Sequence, residues 1–174
     1  MTKKPAHLAA IAALVLTAGT ALPAYAGPNE VALLSNYIGA WSGAGVLEGG
    51  DAPQPFTCRL TIDKGNQAKI NYAGRCTLVN MNLSVSGTIA YDDASHTYQA
   101  IMGSNAGFKG VAVGRVKGGT ITFDLAQKEK DRAGNAVRLG AQIILINNTS
   151  ITVAYQVEFN DSGRILTATV PFSK

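Results

Sequence analysis

An antiparallel up-and-down β-barrel of about ten strands, preceded by one short helix, is the fold the sequence predicts, and three observations predict it. From Trp41 to Phe172 apolar residues recur with a period of two, clearest at Ile121, Phe123, Leu125 and at Ile151, Val153, Tyr155, Val157, Phe159. The segments so defined are bounded by Gly, Asp, Asn and Pro and joined by short links, the punctuation of hairpins. No helical pattern separates them, so the sheet has no crossovers and must curl; closing it removes edges that would otherwise pair with other chains.

The first residues stand apart from this pattern. Lys3 and Lys4, the apolar run 8–16 and Ala24-Tyr25-Ala26 form the three parts of a secretory signal. Residues 1–26 are therefore expected to be a cleaved leader, leaving one barrel domain at 27–174 that begins at Gly27, in the periplasm first and the medium second. The apolar run is too short for a membrane span, and no later stretch reaches the roughly 18 apolar residues a spanning helix needs, so membrane insertion is not expected. Of the formal charge of +4, two units belong to Lys3 and Lys4. The mature chain is then only slightly basic, which gives a nucleic-acid partner no support.

After the leader, Val31, Leu34 and Ile38 are spaced by three and four, with Asn29 as a cap and Gly39 beyond the end, which predicts a short helix that packs against or plugs the barrel. The strand-like segments follow at 41–47, 56–62, 69–77, 83–91, 97–103, 110–116, 120–127, 139–147, 151–159 and 164–172. Several of the 19 glycines fall inside them, including Gly43, Gly45, Gly74, Gly87, Gly114 and Gly140, where a closing sheet needs bends. Residues 128–135 alternate in charge sign and read as a solvated loop at one rim.

Cys58 and Cys76 are the only cysteines, and in an exported domain a lone pair reads as a disulfide. The register is harder. A hairpin turning at 63–66 would set Cys58 opposite about Tyr72, too far from Cys76 to close. A turn nearer Gln67, a bulge at Gly74 or cysteines at bending strand ends would each resolve this, and the sequence leaves all three open.

Gly39-Ala40-Trp41 resembles the Gly-x-Trp signature that opens the first strand of lipocalins and related calycins, and Gly39 to Gly45 is similar to the Gly-x-Trp-x-Gly-x-Gly opening of fatty-acid-binding-protein-like and nitrobindin-like ten-stranded calycins. The stretch 86–98 resembles a mid-barrel hairpin of small lipocalin-like bacterial proteins of uncharacterised function. The resemblance implies a barrel over the whole mature chain, with Trp41 closing its base under a cation from another strand. By analogy with the lipocalin arginine, that cation is expected to be Arg164.

Chemistry is sparse. Haem-binding nitrobindins place a histidine late in the chain, where this sequence has none; the single histidine after the leader, His96, sits in a turn. No cofactor is expected. A zinc site lacks His and Cys partners, no Gly-x-Ser-x-Gly elbow supports a hydrolase, and 103–110 lacks the Gly-Lys-Ser/Thr of a phosphate loop. The chain is expected not to be an enzyme. What could bind is the inner face: Tyr72, Tyr91, Tyr98, Met102, Phe123, Tyr155 and Phe159, a set suited to a small apolar or amphipathic ligand. The alternative is a protein partner, a protease, because exported bacterial barrels that inhibit metalloproteases share a Gly-x-Trp-like opening, one disulfide and a free N-terminal segment.

Overall fold

The computed structural model describes residues 27–79, 81–130 and 133–174; the expected leader, 1–26, lies outside them. Helix α1 (Pro28–Ser35) is followed by β1 (Gly39–Leu47), β2 (Gln54–Lys64), β3 (Lys69–Thr77), β4 (Asn82–Asp92) and β5 (Thr97–Ser104). The second half holds β6 (Lys109–Lys117), β7 (Thr120–Lys130), β8 (Ala136–Asn147), β9 (Ser150–Phe159) and β10 (Ile165–Ser173). Every strand pairs antiparallel with its neighbour in the chain, and β1 with β10, so the barrel is closed. Each predicted segment corresponds to one of these strands. The loop expected at 128–135 is shorter: Lys128, Glu129 and Lys130 pair with Arg138, Val137 and Ala136. Lys128 and Lys130 point outward, while Glu129 shares the inward side with its partner Val137, which is buried.

Helix α1 begins at Pro28, the position where a missing N–H costs nothing, with Glu30 in the first turn. Asn29 is not its cap; Gly27 occupies that position without a side-chain hydrogen bond. The helix lies across one end of the barrel, against β3 and β4. Leu34 and Tyr37 are each only 1% exposed, and the Tyr37 hydroxyl reaches β8 to donate to the Leu145 carbonyl at 3.1 Å. Trp41 is buried beneath, its indole N–H donating to the Tyr37 carbonyl at 2.9 Å.

The cation over Trp41 is Lys174, not Arg164. Lys174 Nζ stands 4.8 Å from the ring centroid and donates to the Asn36 carbonyl at 3.1 Å. Strand parity explains the correction: with an even number of up-and-down strands, β1 starts at the end where β10 finishes, so a residue after β10 lies beside Trp41 and one that precedes β10 does not. Arg164 precedes β10 at the opposite end, where it lies 5.0 Å from the Phe159 ring centroid.

The disulfide follows the first of the three open registers. Lys64 pairs with Ile70, the Gly65 N–H donates to the Lys69 carbonyl, and Gln67 and Ala68 take the left-handed conformation (φ 54° and 60°). The turn is thus centred on Gln67, and Cys58 falls directly opposite Cys76, with a bond between them on the inward face.

Closure depends on the glycines after Trp41. On Gly43, a Cβ would stand 2.6 Å from the Pro171 carbonyl oxygen and 2.8 Å from a Val170 methyl. On Gly45 it would stand 2.8 Å from the Thr169 carbonyl oxygen and 2.9 Å from the Phe56 ring. The bare inward positions of β1 let β10 approach while Phe56, Val170 and Phe172 fill the space. Elsewhere the same exchange recurs: Tyr72 covers Gly87 and Phe123 covers Gly114, each pair directly opposite across two strands.

Candidate functional site

A sizeable cavity lies outside the lumen. It is a cleft of about 560 Å³ at the capped end, between the first turns of α1, the β4–β5 turn and the end of β6. Helix α1 contributes Asn29, Glu30 and Leu33; the turn contributes Ser95, His96 and Thr97 between Tyr91 and Tyr98; β6 contributes Arg115 and Val116. A second depression, of about 390 Å³, spans Gly140–Gln142, Ala154–Gln156 and Thr167–Thr169. Its lining comes from three neighbouring strands and none from the opposite wall, so it is a dent in the wall.

The cleft is held by local chemistry in its turn. Ser95 donates its hydroxyl to the Asp92 carboxylate and lies 2.7 Å from the Thr97 hydroxyl; Gln99 adds a bond to Asp92 at 3.1 Å. The Ser95 hydrogen bond holds the Asp92 carboxyl below its ordinary pKa. His96 takes φ 52°, a left-handed conformation that a side chain unbranched at Cβ tolerates better than a branched one, and its Nδ1 lies 3.4 Å from the Tyr91 hydroxyl. Tyr91 and Tyr98 pack edge to face, centroids 5.0 Å apart. The buried Tyr98 hydroxyl donates to the Glu30 carbonyl at 3.3 Å, tying helix to barrel.

Among the inward residues the sequence singles out, Tyr91 and Tyr98 line this cleft. The others are placed elsewhere. Phe123 is fully buried core, Met102 is partly buried opposite Gly87, and Tyr72 donates to the Ile101 carbonyl at 3.1 Å. Tyr155 faces inward between Ala141 and Ala168, and its hydroxyl makes no hydrogen bond to the described residues. Phe159 lies under Arg164 at the far rim. Glu30, Leu33, Arg115 and Val116 are site residues that sequence reasoning missed, because nothing in their local pattern says where the helix lands. Only the first-turn position of Glu30 carried any signal. Among the described residues no group of three His, Cys, Asp or Glu could hold a metal, and no helix is long and apolar enough to cross a membrane.

Burial pushes the Tyr72 hydroxyl up to about 12 and, with Glu30 as a second cause, Tyr98 also to about 12. Both are ordinarily near 10.0. Between those values the unfolded chain has lost the two protons and the folded chain still holds them, so stability falls as pH rises. Ultraviolet titration is expected to show Tyr72 and Tyr98 ionising last, with the melting temperature declining from about pH 10 upward. All tyrosines titrating together near pH 10 in the folded protein would contradict this burial.

No protein-family model matches the chain, and no curated protein matches its sequence. Solved structures do match in fold. Rv2717c from M. tuberculosis aligns with a TM-score of 0.61 at 13% identity, covering 85% of this chain and 98% of that one. The S-type phycobiliprotein lyase CPES from Guillardia theta aligns with a TM-score of 0.54 at 10% identity, covering 81% and 89%. The chain therefore has the calycin-like ten-stranded barrel fold, and at these identities the likeness extends to fold alone.

Proposed function

We propose that this calycin-like barrel is an exported, non-enzymatic protein that binds a small amphipathic molecule in the cleft between α1 and the β4–β5 turn. The observation that carries the reading is the cleft itself. Its volume of about 560 Å³ suits a small ligand, and it joins apolar walls (Leu33, Val116) to an aromatic pair and charged groups. Export rests on the leader pattern in residues 3–26, and intact-mass measurement of the native protein should give a chain starting at Gly27. A binding role without catalysis is supported by the partners of the cleft's polar groups. Ser95 is engaged with Asp92 and Thr97, not with His96, so this serine is not paired with a base.

The protease-inhibitor reading needs a free N-terminal segment. Residues 27–35 instead form α1 and its cap, folded onto the barrel with Leu34 buried, which favours the small-ligand reading.

The test uses N-phenyl-1-naphthylamine, a neutral amphipathic reporter. Saturable fluorescence enhancement with a raised melting temperature is expected for the wild type, and Tyr91→Ala should weaken binding about ten-fold while leaving the circular dichroism unchanged. Binding that survives Tyr91→Ala and is lost in Tyr155→Ala would move the ligand into the lumen. Absence of binding, together with inhibition of a secreted protease, would transfer the preference to the inhibitor.

A further inference from the structure

The charge arrangement of the cleft says what kind of head group it takes; this deepens the binding reading and rests on it. Glu30 lines the cleft from the helix side and Arg115 from the strand side. No ion pair joins either of them to any described residue, the only such pair being Arg138–Glu158 on the outer wall. Their placement differs. Arg115 is exposed on the outward side of β6, opposite Thr122, where water screens it. Glu30 is half-buried in the first turn of α1, its own backbone carbonyl accepting from the Tyr98 hydroxyl.

The charges acting on the Tyr91 hydroxyl are the carboxylates of Glu30, Asp93 and Asp92, and with partial burial, the larger cause, they push its ionisation upward. Asp92 is kept ionised by Ser95. The positive end of α1 is worth roughly half a unit charge, which offsets only part of Glu30. Half-buried Tyr91 adds the negative face of its ring, with Tyr98 buried behind it, and both hydroxyls are engaged, Tyr98 with Glu30 and Tyr91 with His96. The cleft thus offers the Tyr91 ring and the Glu30 carboxylate to a ligand head, with Leu33 and Val116 for its apolar tail.

We infer that the cleft binds an organic cation, an amine or quaternary ammonium carrying a short apolar tail, with its charge against the Tyr91 ring and beside Glu30. Ring quadrupole and carboxylate act together on such a head, whereas an anion of the same shape meets uncompensated negative charge.

The experiment compares three ligands that share one tail: decyltrimethylammonium, decanol and decanoate, each titrated below its micelle concentration by calorimetry. The expected order is cation tightest and anion weakest. Glu30→Gln is expected to lower cation affinity about ten-fold and to leave decanol unchanged, with the Tyr98 hydrogen bond to the backbone retained and the melting temperature as the check on folding. Arg115→Gln should leave cation affinity equal or slightly raised. Equal affinity for all three heads, unaltered by Glu30→Gln, would overturn the charge assignment and leave the small-molecule reading intact. Preference for decanoate that is lost in Arg115→Gln would overturn it in the opposite sense. Failure of all three to bind would overturn both.

Discussion

Gly43→Ala is expected to destabilise the protein by about 3 kcal/mol, the upper part of the range for overpacking a core. The added carbon would stand 2.6 Å from the Pro171 carbonyl oxygen, a backbone atom that cannot turn aside as a side chain can. Relief requires β1 and β10 to separate, at the seam where their pairing is limited to Ser42–Ser173 and Gly43–Phe172, with a bridge from Glu48 to Thr167. Gly140→Ala is the control. There a Cβ meets nothing within 4 Å, so the change should lie within about 0.5 kcal/mol of zero. Urea unfolding checks both. Equal midpoints for the two variants would mean that the bare inward face of β1 is not what closes the barrel.

Removing the disulfide should have a comparable effect. Cys58 and Cys76 are 18 residues apart, and releasing a loop of that length restores unfolded-state entropy equivalent to about 3 kcal/mol. In a domain of this size that lowers the melting temperature by roughly 6–12 °C. The Cys58→Ala/Cys76→Ala variant removes two inward sulfurs as well, so reduction of the wild type is the cleaner comparison. The two measurements should agree within about 1 kcal/mol. A melting temperature unmoved by reductant would show that the bond does not constrain the unfolded chain.

How far the sequence reveals the molecule differs between wall and site. The wall is legible because side chains alternate across a strand, so Ile121, Phe123 and Leu125 declare one buried face wherever the strand lies. Closure is legible because ten unlinked antiparallel segments have few other ways to hide their edges. Register is less so: the turn at Gln67 uses left-handed non-glycine residues, which turn propensities do not favour, and the disulfide selects it only after its existence is assumed. The cation on Trp41 could have been read from strand parity, which the analogy to an arginine obscured. The cleft was beyond reach for a different reason. Tyr91 and Tyr98 are marked by alternation, but Glu30, Leu33, Arg115 and Val116 meet them only because α1 folds back over that end of the barrel, and docking direction has no local signature. The same holds for Phe123 and Tyr72, whose inward position is readable while their partners, Gly114 and Gly87, decide that they are core.

The most direct test of the central claim is a heteronuclear NMR titration of the isotope-labelled protein with N-phenyl-1-naphthylamine. The account predicts that perturbed backbone amides cluster at Asn29, Glu30 and Leu33, at Ser95 to Tyr98, and at Arg115 and Val116, the three elements that frame the cleft. Perturbations confined to the lumen, around Met102, Tyr155 and their neighbours, or no saturable perturbation at all, would contradict it.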